Sequence, residues 1–271
     1  MITEFVERPI LMSGKLVCET LYGRKTQTRR TSNLKSINEN LNKWEFLETI
    51  HEHTNLGTYF SALFISKESG NSKLVRCPYG SIGDLLWVKE TWRVGAWDVP
   101  TKSIAVDYRA DNFARQEWIQ ILDESRFEKL VEQSIIDVEE AGLIGFALQE
   151  FKKNFTREFS ASGISLESPC RWRPSLFMPK EISRIKLEIK DIRIERLVTI
   201  SEEDARAEGV EIDSEECDHV RYSCSDIGCL GQTYKSGFAK LWIELHGHNA
   251  WSINPWVWVI EFELWEDELP Y

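Results

Sequence analysis

The chain predicts an α+β fold, with bulged strands suited to a small barrel at both ends of the sequence and a helical insertion between them. Three observations predict it. Ile185, Leu187 and Ile189 alternate strictly with polar residues, and Ile192 and Ile194 continue the alternation one residue out of phase. A one-residue slip would turn those side chains to the wrong face, so a β-bulge is expected near Lys190 and Asp191; bent, bulged strands suit a small barrel. Trp118, Ile119, Leu122, Phe127, Leu130 and Val131 recur at helical spacing, as do apolar residues from Ile135 to Phe151, which marks 113–155 as helical. The final strand, 256–264, puts Trp256, Trp258, Ile260, Phe262 and Leu264 on one face and sends Glu261 and Glu263 toward water.

The elements follow in order. Ile10, Leu11 and Met12 form a short strand. Ser13 can cap a helix over about 14–22, with Leu16, Val17, Thr20 and Leu21 as its apolar face and Gly23 as its left-handed end. A basic strand follows at about 26–30. Residues 31–76 read as a polar excursion with a hairpin around Tyr59–Ser66. Gly83 and Asp84 make a turn into a strand at Leu85–Trp92, and 93–112, with Gly95 and Pro100, read as loop. Ser201 opens a short helix, with Asp204 three residues on and Gly209 after it. Residues 211–235 form a Cys- and Asp-containing loop, and Phe238–Leu245 is helical. The barrel thus takes 1–92 plus 182–271, and the insertion takes 93–181.

Hydrophobic residues make up 42% of the chain and charged residues 28%, the balance of a soluble globular protein. No stretch reaches the roughly 18 apolar residues of a membrane span. Acids near the N-terminus, where a signal peptide would be basic, lead to the expectation of a cytoplasmic protein. A net charge of −11 argues against sequence-blind duplex binding, which needs a basic face. Within that acidic chain, residues 1–36 carry seven Lys/Arg against three Asp/Glu, so positive charge is concentrated there. The six cysteines are expected to be free thiols. Cys217, His219, Cys224, Cys229, His246 and His248 could bind zinc, but their gaps are irregular beside the usual short-spaced pairs; free thiols in a loop are the reading taken, with no metal or cofactor expected. Most of the eleven tryptophans should be core.

The basic residues concentrate in Gly23-Arg24-Lys25-Thr26-Gln27-Thr28-Arg29-Arg30. A helix that stops on glycine and feeds a Thr-rich basic strand can hold cations at the mouth of a pocket. Arg171-Trp172-Arg173 is a second candidate: an aromatic between two guanidinium groups can stack on a base while the cations bind phosphate. Trp92 is a possible pocket wall.

Four blocks, "LYGRKTQTRR", "GDLLWVKETW" at 83–92, "ISEEDARAEGV" at 200–210 and "NPWVWVIEF" at 254–262, resemble in order and local chemistry an ASCH domain of the PUA-like group of mixed β-barrels. "RPILMSG", "CPYG" and "WRPSLFMP" are similar to segments of the large ASCH proteins carried by bacteriophages and prophages. The resemblance implies a PUA-like fold and a bacterial-cell setting. It also implies an amidohydrolase that removes the acyl group from N4-acylated cytidine through a lysine, a threonine and a glutamate, which match Lys25, Thr28 and Glu208. It leaves open a non-catalytic module binding RNA, DNA or a modified base, or an ASCH-type ribonuclease. Arg24, Arg29, Arg30, Arg171, Trp172, Arg173 and Trp92 would then hold substrate or nucleic acid.

The residue types make chemical sense by themselves. A threonine hydroxyl attacks only once a base takes its proton. A lysine serves as that base if desolvation or nearby cations, here Arg24, Arg29 and Arg30, pull its pKa down. Positions 25 and 28 point to opposite faces of a regular strand, so Lys25 must either sit in the turn after Gly23 or reach across with its long side chain. Glu208, in the last turn of its helix, stands where a negative charge is disfavoured, a hint of another role.

Overall fold

The computed structural model describes residues 5–54, 57–115, 118–142, 154–155, 168–212 and 232–265. The chain divides into two compact units. The first comprises Met1–Pro9, Glu19–Trp87 and Ile185–Tyr271; the second comprises Ile10–Cys18 and Val88–Arg184. The class is α+β, with several sheets and few helices. Among the described residues the sheets have five, five and three strands and stay separate rather than closing into one barrel.

A five-stranded sheet organises the first unit. Its strands are β1 (Glu7–Leu11), β2 (Gln27–Arg30), β6 (Leu85–Lys89), β12 (Lys186–Arg196) and β13 (Trp256–Leu264), in the order β1-β6-β12-β13-β2. The antiparallel β12–β13 register shifts between Ile189 and Asp191, the bulge required by the change of phase in the sequence. Both faces of β13 are covered, which its alternation did not reveal. Val257 and Val259 pack with Leu197, Ile200, Ala205, Phe238, Trp242 and Trp251. Trp256 and Trp258 meet Phe46, Phe64 and Phe60 on the opposite face. Glu261 is half-buried, reaching water and also accepting from Gln27.

Those phenylalanines belong to β3 (Trp44–Thr54) and β4 (Gly57–Ser66), which with β5 (Ser72–Arg76) form a three-stranded antiparallel sheet. The greater part of the stretch read as a polar excursion, from Trp44 to Arg76, is therefore a sheet. A register shift between Phe46 and Glu48 breaks the alternation that would have marked its first strand.

The second unit holds β7 (Trp92–Asp98), β8 (Ser103–Tyr108) and the short β9 (Phe113–Ala114), β10 (Ile119–Gln120) and β11 (Asn154–Phe155). One long helix, α3 (Glu124–Glu140), is capped by Asp123, whose carboxylate accepts from the Arg126 amide. Phe127, Val131 and Val138 of α3 pack on Trp92, Val94, Trp97, Ile104 and Val106. The expectation of a loop at 93–112 and a largely helical 93–181 is corrected here: the described part is a β-hairpin with added strands, one α-helix and two short 3-10 turns. Gly95, read as a loop residue, lies where the β7–β8 register shifts between Val94 and Ala96, a bulge inside a strand. Residues 92–97 are all buried, so no polar alternation announces the strand. Among the described residues, no helix is long and apolar enough to cross a membrane.

Candidate active site

Two chain reversals build the site in the first unit. Helix α1 (Gly14–Leu21) ends at Gly23, whose φ is 70°, and the Glu19 carbonyl accepts from the amides of Arg24 (2.9 Å) and Lys25 (3.0 Å). Lys25 is thereby fixed before β2 becomes regular. From the far end of the sequence comes α4 (Glu202–Ala207), capped by Ser201, whose hydroxyl accepts from the Asp204 amide at 3.0 Å. The helix ends on Glu208, followed by Gly209 with φ 77°. Lys25 and Glu208 face each other in an isolated antiparallel bridge, and Thr26 N donates to Ala207 O at 2.9 Å. A Cβ on Gly209 would stand 2.8 Å from the Cβ of Lys25 and 2.9 Å from that of Glu19, so only glycine allows this approach.

The Lys25 ammonium is fully enclosed. It donates to Gln27 O (2.6 Å), Glu208 O (2.9 Å) and Glu208 Oε2 (2.8 Å), which uses all of its protons. Burial pushes its pKa down; the Glu208 carboxylate opposes this, and the charges of Arg30 and Arg29 add to the fall. The other Glu208 oxygen, Oε1, accepts from Arg29 Nη1 at 3.2 Å. Arg29 is equally enclosed: Nη1 also donates to Gln27 Oε1 (2.6 Å), and Nη2 to Glu195 Oε2 (3.2 Å) and Asp204 Oδ2 (3.0 Å). Gln27 Nε2 donates to Asp204 Oδ1 and Glu261 Oε1, both at 3.1 Å, and Arg193 Nη2 also donates to Asp204. Burial alone would raise the Asp204 pKa, but the Gln27 bond and the charges of Arg29 and Arg193 hold it below its ordinary value.

Lys25, Arg29 and Glu208 thus come together. Thr28 does not share their face: it pairs with Ile260 in β13, opposite in sense to Gln27 and Arg29, and is 3% exposed. The carbonyl that holds Lys25 Nζ is nonetheless the one of the peptide leading into Thr28. Arg30 pairs with Trp258 on the Thr28 face. Arg24 turns outward, donating to both oxygens of Glu19 (2.5 and 2.7 Å) and lying over the Tyr22 ring. A cleft of about 700 Å³ abuts the backbone of the site, lined in part by Gly23, Arg24, Thr26, Ala207, Gly209 and Tyr234.

The remaining candidates belong to the second unit. Trp92 is core and exchanges backbone hydrogen bonds with Arg173 (3.2 and 2.6 Å). Arg173 Nη2 donates to Asp137 Oδ2 at 3.0 Å, and Arg171 is ion-paired with Glu140. Trp172 is half-buried, with the guanidinium of Arg93 4.4 Å from its ring centre and that of Arg109 5.9 Å away. Its ring already carries the protein's own cations. Cys217, His219, Cys224 and Cys229 lie outside the described residues. His246 lies against Trp242, their ring centres 4.2 Å apart and their planes tilted by 37°. Among the described residues no group of side chains is placed to hold a metal ion.

Sequence reasoning missed Gln27, Arg193, Glu195 and Asp204. Two spacings carried a signal. Residues 25, 27 and 29 recur at the strand period, and Asp204 and Glu208 stand four apart, on one side of a helical turn. Compared with known proteins, the chain matches no family model, no curated protein and no solved structure.

Proposed function

We propose that this protein is an ASCH-type amidohydrolase of PUA-like architecture that removes the acyl group from N4-acylated cytidine or a related modified nucleobase or nucleoside. One observation carries the reading: Lys25 and Glu208, 183 positions apart in sequence, meet as a buried ion pair in which the lysine pKa is lowered. A buried lysine with a depressed pKa, held by a carboxylate that can store its proton, is the chemistry a Thr-dependent hydrolase needs.

In the proposed reaction Lys25 passes a proton to Glu208, moves from the Gln27 carbonyl across the strand edge to the Thr28 hydroxyl, and takes the hydroxyl proton. Thr28 Oγ1 attacks the acyl carbon, the C–N bond breaks, and the Lys25 ammonium protonates the leaving N4 to give cytidine. Water, deprotonated by the same amine, then frees the carboxylic acid and restores the hydroxyl. An uncharged substrate also suits the electrostatics. Arg24, Lys25, Arg29, Arg171 and Arg173 each already face a carboxylate of this chain, which leaves a polyanion little to bind.

The test is release of cytidine from N4-acetylcytidine, followed by chromatography. Thr28→Ala and Lys25→Ala should lose about 10²-fold or more, the usual worth of a positioned proton-transfer group, and Thr28→Ser should retain turnover. Folded wild-type protein that leaves acetyl and longer acyl derivatives intact would overturn the reading and make salt-dependent RNA binding the next measurement.

A further inference from the structure

The geometry points to Arg29 as a positioning residue that sets the proton affinity of Lys25 by sharing its counter-ion, Glu208. The inference deepens the function proposed above and rests on that reading for its catalytic meaning only.

Glu208 has one oxygen on each cation: Oε2 on Lys25 Nζ at 2.8 Å and Oε1 on Arg29 Nη1 at 3.2 Å. Both side chains are fully buried, so water cannot stand in for either. A guanidinium does not deprotonate in a folded protein. Arg29 therefore keeps a permanent claim on Glu208, and it adds a like charge beside Lys25. Both effects make the lysine easier to deprotonate. Arg29 is locked in that position by Gln27 on its own strand, Glu195 on β12 and Asp204 on α4. The charged groups around Lys25 are Glu208 from α4 and Arg29 and Arg30 from β2, with Glu19 of α1 against the same Gly209 turn. Arg29 also binds the Lys25 counter-ion directly. Its place in the sequence suggested contact with substrate; its burial assigns it to the protein's own carboxylates.

The experiment is a pH titration of the Lys25 side chain by NMR, on protein carrying 13C-labelled lysine, without substrate. The Lys25 resonance is identified by its loss in Lys25→Arg. In Arg29→Met the midpoint should move up by about one pH unit, the order expected when a like charge at contact range is removed. In Arg29→Lys, which restores the charge, it should return toward wild type. An unchanged midpoint in folded Arg29→Met overturns the inference. A second measurement needs no variant: in wild type the Arg29 guanidinium resonances should shift with the Lys25 midpoint, and indifference to it overturns the inference equally. The titration does not depend on turnover, so an inactive protein with a coupled Lys25 would fail the amidohydrolase reading alone. In an active protein the alkaline-going limb of the pH–rate profile moves up with the same variant.

Discussion

Both units bury a guanidinium, Arg29 in the first and Arg93 in the second, but among the described residues only the first also buries a lysine. In the second unit the buried carboxylates Glu90, Asp107 and Asp137 are held by guanidinium groups. Arg184 grips Glu90 (2.8 and 2.9 Å) and Asp111 (3.0 Å twice). Arg93 holds Asp107 at 2.9 Å and Arg173 holds Asp137 at 3.0 Å. Burial pushes the Glu90 pKa up and Arg184 pulls it back. None of these cations can lose its proton, so the pairs are fixed fastenings for the strands and loops they join. In the first unit a lysine, the labile member of the basic pair, takes the enclosed position and has its pKa depressed. The contrast separates architecture from chemistry: a forked, permanent charge holds backbone, while a proton-labile charge offers a reactive amine.

The sharpest way to break this comparison is to remove one half of the labile pair. Glu208→Leu leaves Lys25 buried without its carboxylate and should cost about 3–5 kcal/mol in urea unfolding. Lys25→Met combined with Glu208→Leu should recover much of that loss and show no turnover. If the double variant is as unstable as the single one, the pair is a fastening after all. The sign of the pH dependence follows from the same burial. The folded Lys25 pKa lies below its unfolded value, near 10.4, so between the two the unfolded chain holds more protons and stability rises with pH. Below the folded pKa both states are protonated and the cost of burying the charge is present in full. Relative to Lys25→Met, wild type should therefore gain stability as pH rises through that window. The guanidinium pairs of the second unit contribute no such slope on the alkaline side.

In the second unit Asp137→Asn keeps the shape of the side chain but removes the charge that Arg173 and the Arg171 amide use. It should cost about 2 kcal/mol, the range of a charged hydrogen bond, with no change in the titration of Lys25. A comparable loss, about 2 kcal/mol, is expected for Gly209→Ala. It adds left-handed strain at φ 77° to a Cβ only 2.8 Å from that of Lys25. Unlike Asp137→Asn, it should disturb the Lys25 signal.

How legible each region was depended on whether its signal was local. The bulge at Ile189/Asp191 was readable because one strand keeps its alternation on both sides of the slip. The helix reaching from Ser201 to Gly209 was readable because cap and terminator are close in sequence. The hairpin of β7 and β8 was not: burial on both faces erased the alternation, and Gly95 looked like a loop residue while sitting in a bulge. At the site, Lys25 and Glu208 were found through the resemblance. The role of Arg29 was hidden because its three carboxylates, Glu195, Asp204 and Glu208, come from 166 to 179 positions away, and nothing local says which acids will converge. A basic run read alone looked like cations at the mouth of a pocket; folded, its Lys25 and Arg29 are the interior half of an ion-pair network, while Arg24 turns outward.

The mildest test acts on the helix that delivers Glu208. Ser201 accepts from the Asp204 amide, the ordinary bond of an N-cap, and Ser201→Ala should cost about 1 kcal/mol. Its value lies in what else moves. Helix α4 is only six residues long, with Asp204 on Arg29 and Glu208 just past its end on Lys25. So short a helix has little stability of its own, and loosening its first turn should loosen both contacts together. Hydrogen exchange at Glu208 N and Gly209 N should therefore quicken along with exchange at Asp204 N, while the exchange of α3 in the second unit stays as in wild type. Exchange that quickens at Asp204 alone would mean that the pair of Lys25 and Glu208 holds the helix, rather than the helix holding the pair.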